Sequence, residues 1–402
     1  MKYYDIPHFV IKNDLQKSAQ TGVYFSDGVT VDVLRDVCLR ITGQTTFTYD
    51  YVDKDYEDEF LAPTYNKGRM AILKYQNQAI YISFSEQEIG GRNSSVQSLS
   101  TAFNLYFTNP YPFKQLYYYF LGFKGNAETD YHILIYRLME TIGFKFLNAD
   151  SVLTHKILPF SSIDDIISLR RINAGKNRSN NSTFITKSSF NNIEIYGKTY
   201  GASKYETSMF CYALSILAQG EQQILLYEIM EQDLTELPSP SLNVIRSMGK
   251  IKIIPTDMQM EKKVYRETNS LRSPRYLYNL FNKLGNKKCA LCGCEIPELI
   301  QGAHIWTVAS IKKDFLLPLD KKLDCAIDRD NGLWLCENHH KLFDENILRI
   351  ASNGEIKVNS SIGKENIEYI NKITSIKELP SYVMTDKFIE YLDRRNRELS
   401  AL

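Results

Sequence analysis

Short, almost unbroken apolar runs and longer runs with helical spacing alternate along this chain, and each predicts its own element. Ala79–Phe84 (AIYISF), Ile224–Ile229 (ILLYEI) and Ile251–Ile254 (IKII) have the length and β-branched content of buried strands. Asp130–Phe144 carries a helical apolar stripe that stops at Gly143. Thr207–Ala218, with Met209, Phe210, Ala213, Leu214, Ile216 and Leu217, predicts a largely buried helix closed by Gly220. A further helix is expected over Ser241–Ser247 and a polar loop over Asn173–Asn181 (NAGKNRSNN). The aromatic run Tyr117–Phe120 belongs to the core. Towards the C-terminus, Leu277, Leu280, Phe281 and Leu284 follow Ser273-Pro274 and precede Gly285, the start and stop of a helix. Asn353-Gly354 between Ile347–Ile350 and Glu355–Val358 predicts a hairpin, and Thr385–Leu399 a closing helix. The chain shows no internal repeat. Strands alternating with helices make the fold class mixed α/β, or α+β.

At 402 residues the chain is long enough for two or three domains. We expect an α/β region over 1–265, with a split near 165, a basic linker and helix over 266–285, a small domain over 286–358 and a helical extension over 359–402. Forty-eight basic against 47 acidic residues exclude a bulk polycation that coats nucleic acid, but not a local basic face. Such a face exists between Glu261 and Lys288, where eight Lys and Arg stand against two acids. No apolar run approaches the roughly 20 residues that span a bilayer. No signal-peptide core is visible at the start, and seven cysteines do not pair evenly. A reducing, cytoplasmic setting without membrane attachment follows as the expectation.

The cysteines carry the chemistry. Cys289, Cys292, Cys294, Cys325 and Cys336 fall in one window with His304, His339 and His340 in or beside it, whereas Cys38 and Cys211 stand alone. Cys289-x2-Cys292 and Cys336-x2-His339 are two tight knuckles, the spacing of a tetrahedral structural Zn2+ site built from thiolate and imidazole donors. Cys294 can take the place of Cys292, and a set of reduced core thiols is the bland alternative. Between the knuckles, Leu299–Ile300 and Ile305–Val308 suggest a hairpin around His304, and Asp330-Asn331-Gly332 a loop. Trp334–Phe343 suits a short helix. Consecutive residues on a helix point about 100° apart, so His339 can face the zinc while His340 faces elsewhere.

The order AHI, DNGLWLC-x2-HH-x-LFD resembles the HNH nuclease family over about residues 285–358, a version similar to the HNH domains of bacterial restriction endonucleases. The resemblance implies a ββα-metal fold, a β-hairpin joined to a helix across one metal. It implies His304 as the general base towards the attacking water. Asn331 would fix the loop and orient that base, and His340 would be a ligand of a catalytic Mg2+ or Mn2+. Many members carry Asp before the first histidine. This chain has Ala303, so another residue such as Asp344 or Asp330 would help hold the ion.

The large N-terminal part would then supply targeting. Arg92 and Asn93 in Glu88–Ser95, the basic group Arg170, Arg171, Lys176 and Arg178, Lys198 in Tyr196–Ala202, and Arg272 and Arg275 ahead of the small domain are the expected DNA contacts. Glu194 and Lys198 loosely resemble an acidic-residue-and-lysine nuclease core. Together these features suggest a sequence-specific, type II-like restriction endonuclease acting on double-stranded DNA. It would act as a homodimer beside a protecting methyltransferase in a bacterial or archaeal cell. A modification-dependent or signal-triggered anti-phage nuclease is one alternative, and a zinc-stabilised DNA-binding protein without cleavage another.

Overall fold

The computed structural model describes residues 3–12, 24–26, 29–52, 70–86, 89, 102, 106, 113–122, 128–176, 183–188, 192–198, 203–229, 245, 250–256, 262, 265 and 271–400. The fold is mixed α/β, with ten α-helices among the described residues. Two compact units are present. The first comprises Met1–Leu169, Thr199–Glu221 and Leu237–Ile251, the second Arg170–Lys198, Gln222–Glu236 and Lys252–Leu402.

In the first unit, six strands form one sheet: β1 (Tyr4–Lys12), β4 (Thr48–Val52), β5 (Met70–Gln76), β6 (Gln78–Phe84), β7 (Phe113–Tyr119) and β8 (Phe144–Leu147), in the order β4-β1-β5-β6-β7-β8. A separate short pair, β2 (Tyr24–Ser26) and β3 (Val29–Thr30), precedes α1 (Val31–Thr42). Phe9, Ile11, Ala71, Leu73, Ile80, Ile82 and Phe84 take alternate positions on one sheet face and pack with Leu34, Val37 and Cys38 of α1. On the other face, Tyr118, Phe120 and Phe146 surround Tyr136 of α2 (Asp130–Thr141) in edge and tilted ring contacts. A sheet covered on both faces has no polar side, which is why AIYISF reads as a continuous apolar run. Helix α4 (Ser203–Leu217) also belongs to this unit, whereas α3 (Ile163–Lys176) belongs to it only as far as Leu169. The loop expected over Asn173–Asn181 is thus helical through Lys176.

The second unit contains a four-stranded sheet in the order β12-β11-β10-β9, made of β9 (Thr183–Lys187), β10 (Ile193–Lys198), β11 (Ile224–Ile229) and β12 (Ile251–Thr256). Its Phe184, Tyr196 and Ile229 share one apolar cluster with Phe281, Trp334 and Leu335. That shared core groups this sheet with the C-terminal segment, a different division from the continuous boundary expected at 265. Within the segment, α5 (Pro274–Leu284) starts with Ser273 capping the Arg275 N–H at 3.1 Å and ends at Gly285 (φ 77°). Two strands, β13 (Ile300–His304) and β14 (Gly332–Cys336), pair antiparallel with His304 opposite Gly332 and Ile300 opposite Cys336. The hairpin expected with Ile305–Val308 is not formed. Instead α6 (Val308–Lys313) and α7 (Leu319–Ile327) are inserted between the paired strands. The helix α8 (Glu337–Asp344) begins after Cys336 rather than at Trp334, because Trp334–Cys336 are buried in the ribbon. The Asn-Gly hairpin β15 (Leu348–Ile350) and β16 (Ile356–Val358) follows with Gly354 at φ 89°, then α9 (Lys364–Ile373) and α10 (Asp386–Ser400). Among the described residues, no helix is long and apolar enough to cross a membrane.

Candidate active site

The β13–β14 ribbon carries different chemistry at its two ends. At the Ile300–Cys336 end, Cys289, Cys292, Cys336 and His339 bring their ligand atoms within 4.8 Å of one another. Cys292 Sγ lies 3.8 Å from Cys336 Sγ, and Cys289 Sγ 3.6 Å from His339 Nδ1. A tetrahedral ion with metal–sulfur bonds of about 2.3 Å separates two sulfurs by roughly 3.8 Å, so the donors fit one ion. His339 is 1% exposed; its Nε2 and Thr374 Oγ1 share a hydrogen bond at 3.1 Å, and its Nδ1 lies 3.1 Å from Cys336 Sγ, directed at the thiols. Burial works to raise the Cys289 thiol. Hydrogen bonds from His339 and from the N–H groups of Cys336, Leu291 and Cys292 outweigh it and bring the thiol down to about 6. Cys294 is outside this group; its carbonyl accepts the Cys289 N–H at 2.8 Å. Cys325 also lies outside this group; it is half-buried, and burial raises its pKa.

At the other end, helix α5 presses against the ribbon where two glycines leave room. A Cβ on Gly332 would lie 2.2 Å from Tyr276 Oη, and one on Gly302 2.9 Å from Leu280 Cδ1. His304, the last residue of β13, donates from Nε2 to the Ala326 carbonyl at 2.8 Å. The carbonyl can only accept, so Nδ1 is the unprotonated nitrogen. Burial pushes the His304 imidazole down to about 4, against the opposing pull of the Ala326 carbonyl. Its ring stacks on Tyr276 with centroids 3.8 Å apart and planes 15° from parallel.

Asn331 is fully buried. Its Oδ1 accepts the Trp306 N–H at 2.7 Å, and its Nδ2 donates to the carbonyls of Trp306 and Cys325 at 3.1 and 3.0 Å. One amide thus ties the segment after His304 to the α7 end that supplies the Ala326 carbonyl. Arg395 of α10 adds a second tie, donating to the carbonyls of Ile305 and Phe343 and to Asn346 Oδ1.

His340 turns away from His339 into a cavity of about 590 Å3 that also exposes His304, Gln301, Asp344 and Arg272. Gln301 Oε1 accepts from His340 Nδ1 at 3.1 Å, and His340 Nε2 lies 3.4 Å from Asp344 Oδ2, one helical turn on. An imidazole nitrogen and a carboxylate oxygen thus lie side by side on the cavity wall, both of them donor atoms a divalent cation accepts. Ala303 is fully buried and offers no donor side chain. Asp330 is committed elsewhere: it pairs with Lys283 at 2.8 Å and accepts from Thr385 at 2.7 Å. Burial works to raise its carboxyl, but those partners hold it below the usual range.

The expected DNA contacts divide sharply. Arg272 is exposed and lines the cavity, and Arg275 sits in the first turn of α5. Arg170 is 2% exposed and donates to the Thr183 carbonyl at 2.7 Å, so it is a core residue and not part of a DNA-facing loop. Arg171 and Lys176 lie on the same helix, α3. Tyr196–Lys198 belongs to β10 rather than to a loop, and Tyr196 stacks on Tyr227. Glu194 accepts from Tyr196 Oη at 2.9 Å and reaches the cavity wall. Arg92, Asn93, Arg178 and the side chain of Lys198 lie outside the described residues, as does most of the helix expected over Ser241–Ser247. Tyr276, Gln301 and Arg395 escaped the sequence reading. The glycines at 302 and 332 are the one signal that could have pointed to a close neighbour such as Tyr276.

Residues 289–350 match a family model described as HNH endonuclease. Among solved structures, a chain titled "Modification dependent TagI restriction endonuclease" matches at 22% identity with a TM-score of 0.21. That match covers 32% of this chain and 39% of the other. A search of curated proteins gives no match. Residues 289–350 are thus an HNH endonuclease domain within a longer chain.

Proposed function

We propose that the protein is a metal-dependent endonuclease that hydrolyses phosphodiester bonds of double-stranded DNA at specific sites, in the manner of a type II restriction enzyme. One observation carries this reading. A neutral histidine, oriented through Nε2 with Nδ1 unprotonated, shares a cavity with a second histidine paired to a carboxylate. His304 Nδ1 takes a proton from the attacking water as the new P–O bond forms and the P–O3′ bond breaks. Its low pKa keeps the base unprotonated throughout the neutral range. Asn331 positions the loop behind the base, and Arg272, on the cavity wall, would meet the phosphate. His340 and Asp344 would hold Mg2+ or Mn2+, with Asp344 standing in for the carboxylate that Ala303 lacks. When bound, such an ion stabilises charge on the scissile phosphate and on the departing oxygen. Cys289, Cys292, Cys336 and His339 would hold a structural Zn2+.

Cutting both strands calls for two such cavities, which favours a homodimer on DNA. A methyltransferase would protect the host's own sites in a bacterial or archaeal cytoplasm. The test is incubation of the full chain with unmodified and methylated phage and plasmid DNA in Mg2+ or Mn2+. Discrete fragments from unmodified DNA are expected. A smear contradicts site specificity, cutting confined to methylated DNA supports a modification-dependent enzyme, and binding without cutting supports an inert frame.

A further inference from the structure

We propose that Tyr276 is a positioning residue of the nuclease, holding the His304 imidazole in its reactive orientation from outside the segment that matches the family model. This rests on the reading of His304 as general base.

Among the described residues, the His304 ring has one in-plane anchor, the 2.8 Å bond from Nε2 to the Ala326 carbonyl. A planar ring with a single hydrogen bond can still tip about that bond, which would swing Nδ1 away from an attacking water. The Tyr276 ring, stacked flat at 3.8 Å and 15°, blocks that tip. Tyr276 is itself fixed at its far end. Its hydroxyl donates to the carbonyl of Ala303, the residue before His304, at 3.0 Å, and reaches the Asn331 carbonyl at 3.5 Å. The tyrosine is therefore tied to the same strand whose histidine it covers.

Two further features support the assignment. Gly332 has extended backbone (φ −164°, ψ 161°) that any residue could adopt, so conformation does not require glycine there. Space does, since a methyl group would lie 2.2 Å from Tyr276 Oη. The second feature is Asn279, one turn further along α5, which donates to the Ile327 carbonyl at 2.7 Å. Ile327 follows Ala326, the acceptor of His304. Helix α5 thus supplies the stacked ring and anchors Ile327, the neighbour of the accepting Ala326, yet it precedes the matched residues 289–350. The working nuclease begins at α5.

The test uses the full chain with Tyr276→Phe, Tyr276→Leu, Gly332→Ala and, as reference, His304→Ala. Cleavage of a duplex that the wild type cuts is measured with kcat and KM separated, and rates are scaled to the folded fraction by thermal melting. Tyr276→Phe keeps the stack and is expected to stay within about fivefold of wild type. Tyr276→Leu removes the stack and is expected to lose about 100-fold in kcat with KM little changed. Gly332→Ala drives a methyl into the tyrosine hydroxyl and should lose kcat in the same way. A second readout needs no cleavage. With histidine labelled with 13C at Cε1, six ring signals are expected, one for each histidine. The His304 signal should be shifted upfield by the tyrosine ring in wild type and Tyr276→Phe, and should move downfield in Tyr276→Leu. Wild-type kcat in Tyr276→Leu, or an unmoved His304 signal, with His304→Ala inactive, overturns the role of Tyr276 alone. Full activity in His304→Ala overturns the general-base reading and the role of Tyr276 with it.

Discussion

The two ends of the β13–β14 ribbon are built from opposite kinds of information. At the Cys336 end, four donors from two knuckles converge, and spacing within the sequence is enough to bring them together. At the His304 end, the ring is held by Tyr276 from α5 and Ala326 from α7, while Asn331 and Arg395 of α10 tie the loops behind it. One end is local and the other is assembled from across the module. A two-stranded ribbon has little core of its own, so a metal knot at one end suits it. The cavity end depends on burial and polar ties instead.

The largest effect should come from breaking the local end. Cys336→Ser, or strong chelation, is expected to unfold the module, because structural zinc in such sites contributes on the order of 10 kcal/mol. Thermal melting with zinc quantification checks this. Cys294→Ser should leave zinc content and melting unchanged; a loss of zinc there would redraw the ligand set.

Next comes the base itself. His304→Ala is expected to lower kcat by about 10²–10⁴-fold while zinc content and DNA affinity hold. Asn331→Ala should then cost about 3 kcal/mol, since it strands the buried Trp306 N–H and two carbonyls. A melting shift within the scatter of wild type would show that the ties are not what holds the cavity end.

The pH dependence separates the ends further. His304 in the folded chain titrates near 4, below the roughly 6.5 of an unfolded histidine. Its neutral burial therefore contributes fully above pH 6.5, and that contribution is lost as pH falls towards 4. The acid limb of cleavage should accordingly lie well below 6.5. A limb near 6.5 that His304 causes would contradict the burial described. The smallest effect is expected at Lys341–Glu345, an exposed pair at the C-terminal end of α8. Lys341→Ala should leave melting unchanged.

This contrast also explains what was legible in the sequence. The knuckles, the Ser-Pro start and Gly stop of α5 and the Asn-Gly hairpin are local signals, and each appears in the structure. The strand pairing around His304 was misread, because Ile305–Val308 looked like the nearer partner while the true one lies beyond two inserted helices. Arg170 looked like a DNA contact because charge in a polar run suggests solvent, yet its guanidinium is buried against the Thr183 carbonyl. Tyr276 is one aromatic among 47 Tyr and Phe, and nothing in its own spacing marks it. Only the two glycines opposite it carried a trace of its place.

The most direct test is single-turnover cleavage of duplex DNA by wild type and His304→Ala, both zinc-loaded, at matched DNA occupancy in Mg2+ or Mn2+. The expected result is cutting by the wild type and a loss of at least about 100-fold in the variant, with binding intact. Equal cutting by both proteins, or none by either, would contradict a nuclease that works through His304.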